Sequence, residues 1–266
     1  MMSSFEEKPY WRPHYADDIS TLLPTIKKYN KAIRKFAADP VNGEDLQAFM
    51  DYHRQEFINE YNRRPKFFAA EVEDDIAYKT RIQHRNLKDA IEYVFGDTLF
   101  SDKLRVNFDS KLPKTLHSLI GKELFPDTGI YRSSNTNPKG YKFLYLHPNE
   151  IPNWLENVFA DINTPIGLGV EDWYDKATEF FDRFLYAHPF VNGNGRVARF
   201  LVSALLIHHT IVPVCLFSWK PDSNPIYLHV LQEAHEFGNN RLLKSFIIEA
   251  VHGNLEKCVQ MLDVPV

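Results

Sequence analysis

The chain has 266 residues, of which 44% are hydrophobic, 25% are charged and 14% are aromatic. This is ordinary globular composition, and it excludes the disordered, collagen-like and coiled-coil classes. The net charge of −4 gives no global basic footprint, so we expect no nucleic-acid partner. A chain of this length buries most of its unfolded surface and needs neither a metal nor a disulfide to fold.

Cysteine usage and the N-terminus both bear on the compartment. Cys215 and Cys258 form no CxxC pair, which excludes a zinc ribbon and a disulfide framework. We expect both to be reduced structural thiols. The N-terminus has neither a basic start nor an apolar stretch, so no cleavable signal peptide is expected. The predicted location is cytoplasmic, with export as an effector without a cleavable signal as the alternative.

Apolar residues at steps of three and four predict an amphipathic helix over 16–38. Pro24 falls inside this pattern, so the regular helix is predicted to begin only there. Two further helices are predicted over 44–61 and about 70–95. Residues 1–95 are therefore predicted to form an N-terminal helical region.

The pattern changes after a short predicted helix over 113–124. Aromatic-rich segments at 129–132 and 141–146 flank residues 133–140, which are dense in turn formers. This arrangement predicts a β-hairpin with a long loop over about 129–147. Five more helices are predicted, over about 150–162, 171–187, 194–211, 225–237 and 241–260. The predicted fold class is all-α with one β-hairpin.

One uncharged stretch, 200–219, is long enough to span a bilayer. It contains serine, threonine, histidine and proline, and polar groups are costly in hydrocarbon. We therefore predict a buried helix that ends before Pro213, followed by an extended stretch. No membrane partner is expected.

The segment 188–199, His-Pro-Phe-Val-Asn-Gly-Asn-Gly-Arg-Val-Ala-Arg, joins two of the predicted helices. Pro189 ends the first helix near His188, and a new apolar helical pattern begins near Asn194. The glycines between them permit positive φ angles and close approach of a ligand to the backbone. Successive backbone N–H groups at a helix N-terminus form an anion site.

Arg196 and Arg199 are three residues apart, so they share one face of the new helix. The helix dipole disfavours arginine there, and a bound polyphosphate would remove that conflict because guanidinium binds phosphate bidentately. His188 precedes the loop, and histidine is the natural base near neutral pH. Two interpretations remain open: a phosphate site with a histidine base, and a capped helix with a structural histidine.

This segment resembles the signature of the Fic (Fido) family, His-Pro-Phe-x-Asp/Glu-Gly-Asn-Gly-Arg-x-x-Arg. We call residues 188–199 the signature segment. The resemblance extends less specifically over about 100–250, where residues 129–132 are similar to the start of the family's flap hairpin. It implies a Fic-fold helical bundle with a hairpin flap, with the core at 96–262.

Fic proteins mostly transfer AMP from ATP to a hydroxyl side chain of a target protein. The resemblance implies that His188 deprotonates that hydroxyl. The flap would bind a segment of the target protein as an added strand. Tyr227 is a candidate for stacking on the nucleotide base, and a core tyrosine is the alternative.

The resemblance also implies how the phosphates are held. The backbone of Gly193, Asn194 and Gly195, with the Asn194 side chain, would hold the α- and β-phosphates. Arg196 would neutralise the β-phosphate and Arg199 the γ-phosphate. Such catalysis is mostly positioning and charge stabilisation.

One residue departs from the family pattern, because Asn192 stands where the family has the acid that holds Mg²⁺. The implied cofactors are ATP, as substrate, and Mg²⁺ or Mn²⁺. Three outcomes stay open: weak metal binding through ATP and Asn192, a different phosphate-containing substrate, or a slow member of the family. The competing functions are transfer of a phosphate or phosphocholine-type group, and a catalytically weak nucleotide-binding regulatory protein.

Many Fic proteins carry an inhibitory helix with the pattern Ser/Thr-x-x-x-Glu-Gly/Asn, whose glutamate pairs with the second arginine of the signature. Ser245 and Glu249 have this spacing, but Ala250 follows instead of glycine or asparagine. They are possible inhibitory residues, with a plain amphipathic helix as the alternative. The oligomeric state and the target protein stay open.

Overall fold

The computed structural model describes residues 19–62, 73–96, 104–137, 144–164, 170–219 and 223–266. Its helices are α1 (Ile19–Ala37), α2 (Gly43–Asn62), α3 (Glu73–Val94), α4 (Leu112–Gly121), α5 (Ile151–Asn163), α6 (Val170–Ala187), α7 (Asn194–Thr210), α8 (Ser223–Phe237) and α9 (Arg241–Met261). Short 3-10 turns at Pro40–Asn42 and Pro148–Glu150 precede α2 and α5. These bounds confirm the predicted all-α class and lie within a few residues of the predicted helices.

The start of α1 differs from the prediction. The helix begins at Ile19, so Pro24 lies inside it rather than at its start. Leu23 and Ile26 on either side of this proline are buried in the core. Their packing offsets the backbone hydrogen bond that proline removes, which is why the helix continues through it.

Helix α7 forms the centre of the molecule and packs against α6 and α4. Phe200, Leu201, Val202 and Leu206 are all fully buried, as expected for a helix that is apolar on every side. The helix ends at Thr210, which confirms the predicted stop before Pro213. None of the described helices is long and apolar enough to cross a membrane.

The N-terminal helices share this core. Phe57 of α2 and Phe95, just after α3, lie against Phe200 with ring centroids 5.3 Å and 5.6 Å away. Helix α1 packs along α9. A single hydrophobic cluster therefore runs from α1 to α9.

The predicted hairpin needs correction, because the described parts of it contain no strand. We call residues 129–137 the first flank and residues 144–147 the second flank; residues 138–143 lie outside the described ranges. The main-chain groups of the flanks bond to the last turn of α6 and to the turn after it. Arg132 N donates to Pro189 O at 2.9 Å, and Leu146 N donates to Tyr186 O at 3.2 Å.

Candidate active site

The site begins where α6 ends. His188 has a φ of 44°, in the left-handed region that residues other than glycine rarely adopt. Its main-chain N–H still donates to Phe184 O at 3.2 Å, in the manner of a final helical turn. Pro189 follows and prevents the helix from continuing. The reversal therefore places the imidazole beside the loop that leads into α7.

The His188 imidazole is covered by the second flank. The ring of Tyr145 is stacked on it, with centroids 3.9 Å apart and an interplanar angle of 15°. Burial, helped by the Arg132 charge, lowers the pKa of His188 to about 4. The imidazole is therefore neutral at pH 7 and has a lone pair for a proton.

Asn194 acts as a brace within the loop. Its Oδ1 accepts from Phe190 N at 2.8 Å, and its Nδ2 donates to Phe190 O at 2.7 Å. Both polar groups of the buried amide are thus bonded to the main chain, and the implied side-chain contact with phosphate stays a prediction. Gly193, the N-cap of α7, has a φ of 79°, which favours glycine.

His117 of α4 holds this loop in place through two hydrogen bonds, and the sequence alone does not identify it as a site residue. Its Nδ1 accepts from Gly129 N at 2.8 Å, so Nε2 carries the proton and donates to Asn192 O at 3.0 Å. Its ring is stacked on Phe190 at 3.9 Å. The imidazole thus joins the start of the first flank to the signature segment.

Arg196 lies on the first turn of α7, at the free N–H groups of the helix. Its guanidinium carbon is 4.9 Å from the centre of the Phe125 ring. Burial and the nearby Arg199 charge lower its pKa to about 10, so the group is a cation at neutral pH. Gly195 is close to the second arginine, since an added Cβ would lie 3.4 Å from Arg199 Nη1.

Arg199 lies deeper, between aromatic rings. Its guanidinium carbon is 4.3 Å from the centre of the Phe217 ring and 4.9 Å from that of Tyr61. Its Nε is 3.7 Å from Glu60 Oε1, an ion pair in which both side chains are almost fully buried. The second arginine of the signature is therefore already paired with a carboxylate.

Glu60, on α2, is a site residue that sequence analysis did not identify. Its Oε2 accepts from Phe217 N at 2.7 Å. Burial raises the pKa of this carboxyl, although the Arg199 charge and the backbone donors act in the opposite direction. The sequence carries no spacing signal for it, since Glu56 stands four residues earlier where the inhibitory pattern has serine or threonine.

Ser245 and Glu249 both lie on α9 and are buried. Their inhibitory role stays a prediction. Tyr227, on α8, is also buried, with its ring centroid 4.9 Å from that of Phe217. Burial raises the pKa of Tyr227 to about 12, against the opposing effect of Arg199. Its stacking on a nucleotide base stays a prediction, beside the core-tyrosine alternative.

Asn192 is a poor ligand for a metal ion. Its Oδ1 accepts from Gly193 N at 2.7 Å, and the amide brings no negative charge. Among the described residues, no group of three or more histidine, cysteine, aspartate or glutamate side chains is placed to hold a metal ion. Magnesium prefers carboxylate and phosphate oxygens, so these residues do not fit a magnesium ion held by the protein.

Part of this chain is similar in sequence to known proteins. Residues 107–206 match the model of the Fic/DOC family. A protein adenylyltransferase Fic from Nematostella vectensis is 27% identical over 147 residues, which are 52% of this chain and 32% of that protein. A probable protein adenylyltransferase from Aquifex aeolicus is 30% identical over 106 residues, which are 40% of this chain and 31% of that protein. The chain spans about a third of the length of these curated relatives.

Solved structures share the fold. A Fic family protein from Desulfovibrio desulfuricans G20 has a TM-score of 0.66 at 16% identity, over 97% of this chain and 78% of that one. The BepC effector from Bartonella tribocorum, solved with bound AMPPNP, has a TM-score of 0.54 at 20% identity, over 70% of this chain and 94% of that one. The helical bundle around the signature segment is thus the fold of these proteins.

Proposed function

Residues 107–206 match the Fic/DOC family, and on that premise we propose that the chain transfers AMP from ATP to a hydroxyl side chain of a target protein. The observation that carries this proposal is the neutral His188 imidazole one loop before two arginines on the first turns of α7. The names of the two curated relatives and the AMPPNP bound by BepC support it.

The nucleotide phosphates bind at the N-terminus of α7. The free N–H groups of its first turn form an anion site, and Arg196 adds a full positive charge. Arg199 adds a second charge once it is released from Glu60. The Asn194 amide keeps the loop in shape, so it positions these donors without touching the phosphates.

His188 acts as the general base. It takes the proton from the target hydroxyl as the oxygen forms a bond to the α-phosphorus. The bond from the α-phosphorus to the oxygen that bridges it to the β-phosphate breaks, and pyrophosphate leaves. The two arginines and the α7 N–H groups stabilise the charge on that leaving group. The product is AMP joined to the target by a phosphodiester bond.

Glu60 inhibits this reaction in the proposal. The γ-phosphate and the Glu60 carboxylate compete for the same guanidinium. This contact with the second arginine is the one that the family resemblance assigns to an inhibitory glutamate. We propose Glu60 of α2, rather than Glu249 of α9, for that role.

A second candidate is transfer of a phosphate or phosphocholine-type group. The observation that favours it is Asn192, because the neutral amide removes the charge with which the family binds the metal of ATP. AMP transfer leaves the α-phosphorus of ATP on the target and phosphate transfer leaves the γ-phosphorus, whereas a phosphocholine-type transfer takes no phosphorus from ATP. Labelling ATP at defined phosphates therefore separates AMP transfer from both.

The test incubates the full chain and a cell lysate with α-³²P-ATP or γ-³²P-ATP, with Mg²⁺ or Mn²⁺. Wild type, Glu60→Gln and His188→Ala are compared, with His84→Ala of α3 as a control that also removes one imidazole. We expect α-label on protein, more of it with Glu60→Gln, none with His188→Ala, and wild-type amounts with His84→Ala. Label from γ-³²P-ATP alone contradicts AMP transfer, and label that survives His188→Ala contradicts the assigned base.

A further inference from the structure

Arg132, in the first flank, is a buried arginine that the mechanism above does not use. Its guanidinium donates to four main-chain carbonyls: Nε to His188 at 2.7 Å, Nη1 to Ser134 at 2.8 Å, and Nη2 to Ala187 at 3.1 Å and to Leu146. The acceptors come from the turn after α6 and from both flanks. One side chain thus connects three separate stretches of chain.

Electrostatics explains why this cation is stable without a carboxylate among those acceptors. Ala187 is the last residue of α6, and the carbonyls at a helix C-terminus carry partial negative charge. The planar guanidinium presents five N–H donors in a fixed fork, which suits acceptors that approach from several directions. A lysine ammonium keeps the charge but is too compact to reach the same set.

The hydrogen bond from Arg132 to the His188 carbonyl also holds an unfavourable backbone conformation. His188 has a φ of 44°, and its carbonyl accepts from Arg132 Nε. Strained residues of this kind persist only where surrounding structure fixes them. Arg132 therefore sets the direction in which the main chain of the base leaves α6.

The ring of the base is fixed through the second flank. Leu146 has both main-chain groups occupied, since its N–H donates to Tyr186 O and its carbonyl accepts from Arg132. The residue before it, Tyr145, is the one stacked on the His188 ring at 3.9 Å. The position of this ring thus depends on the anchored Leu146.

We propose that Arg132 is a positioning residue, which locks the main chain of His188 and, through Leu146, holds Tyr145 against the imidazole. The base and both flanks then move as one unit. The inference rests on the proposed function for the statement that His188 is the base. The placement of the imidazole itself is independent of that function.

The titration of His188 gives a readout that does not depend on activity. The groups that act on its pKa besides burial are Arg132 and His235, which lower it, and the Leu185 main chain, which raises it. Tyr145 covers the ring. Removing the Arg132 charge and loosening this cover both act to raise the pKa from its value of about 4.

The experiment uses Arg132→Gln and Arg132→Lys in the full chain. Arg105→Gln is the matched control, because Arg105 makes an exposed ion pair with Glu92. The His188 resonance, assigned with His188→Ala, is titrated by NMR, and AMP transfer is measured as kcat and KM for ATP. For Arg132→Gln we expect the pKa of His188 to rise by about one unit or more. For Arg132→Lys we expect a smaller rise, because the charge remains while the hold on Leu146 and Tyr145 is loosened.

In both Arg132 variants kcat should fall about a hundredfold while the KM for ATP changes less than about threefold, since misplacement affects the chemical step. An unchanged His188 pKa in Arg132→Gln, or wild-type kcat in Arg132→Lys, overturns the proposal. A rise of KM that matches the fall of kcat also overturns it, because it indicates that the nucleotide site is disturbed as well as the base.

Tyr145→Ala keeps the inference testable if Arg132→Gln does not fold. It uncovers the imidazole without touching the guanidinium, so the pKa of His188 should rise toward its ordinary value of 6.5. An unchanged pKa overturns the role given to the stacked ring. A wild type that transfers no AMP contradicts the proposed function instead, and the titrations still decide whether Arg132 and Tyr145 hold the base.

Discussion

Arg196 and Arg199 lie one turn apart on the same helix, yet their surroundings differ. Arg196 lies over the Phe125 ring, and no carboxylate of the described residues pairs with it. Arg199 lies deeper, between two aromatic rings, with Glu60 at 3.7 Å. Two identical side chains on one face thus have different states: the first is available to an anion, and the second is occupied.

This difference separates what a motif specifies from what the fold specifies. The spacing of the two arginines places both at the N-terminus of α7. Whether each can receive a phosphate depends on α2, which supplies Glu60 and lies outside the segment that matches the family. The regulation that we propose therefore comes from a region outside the signature segment.

We expect the largest effects when each of the two arginines is removed in turn. Arg196→Gln should lower kcat/KM for ATP about 10²–10³-fold, because it removes a charge from the developing leaving group. Arg199→Gln should lower it only about tenfold, since wild type must first break the pair with Glu60. Transfer assays report both values, and thermal unfolding checks that the variants fold. Equal losses would remove the distinction between an available and an occupied arginine.

Releasing Arg199 is the converse test. Glu60→Gln keeps an acceptor for Phe217 N–H but removes the competing charge, so ATP should bind about tenfold more tightly, a change of about 1.4 kcal/mol. Isothermal titration calorimetry measures it. The matched control is Glu56→Gln, one turn earlier on α2, whose carboxylate bonds to Lys257 at 3.1 Å. The inhibitory role fails if the two variants bind ATP equally well.

Restoring the family's acid should have a smaller effect. Asn192→Asp adds a carboxylate where the amide oxygen now accepts only from Gly193 N, so the Mg²⁺ concentration for half-maximal transfer should fall about fivefold. Transfer rates over a range of Mg²⁺ concentrations measure it. Asn149→Asp, on the exposed turn before α5, adds the same charge elsewhere as the control. An unchanged requirement for Mg²⁺ would show that the nucleotide phosphates alone hold the ion.

The smallest effect concerns pH. Burial raises the folded-state pKa of Glu60 above its ordinary value of 4.5, so the folded state binds more protons than the unfolded state between the two values. The free energy of unfolding that Glu60 contributes is therefore lost as pH rises through this window. We expect the stability of wild type relative to Glu60→Gln to decrease from pH 4 to pH 7 in urea unfolding. A constant difference would mean that the carboxyl titrates alike in both states.

Much of this fold follows from sequence pattern. Helices such as α2, α6 and α9 lie within a few residues of their predicted bounds, because steps of three and four define a buried face. The prediction about Pro24 was wrong because the rule for proline ignores the packing of Leu23 and Ile26. The strands of the hairpin were predicted from composition, but their described main-chain groups bond to the last turn of α6 and to the turn after it.

The site was predicted where its residues are consecutive and missed where they are not. Residues 188–199 form one segment, so their chemistry is visible in the sequence. Glu60, His117 and Arg132 are single polar residues whose partners are remote in the chain. Nothing in their local spacing distinguishes them from surface residues. The Asn194 brace was missed for another reason, since only geometry shows which acceptor an amide uses.

The contacts of Phe200, edge to face with Phe57 and stacked with Phe95, have a consequence for protein engineering. A fragment cut at the start of the family match, residue 107, would leave Phe200 facing water and would remove the glutamate that neutralises Arg199. Such a piece would expose an apolar surface, and the arginine that we propose for the γ-phosphate would lose its competing carboxylate. The region that matches the family is therefore not a self-contained unit: grafting it onto another protein requires α2 and α3 as well.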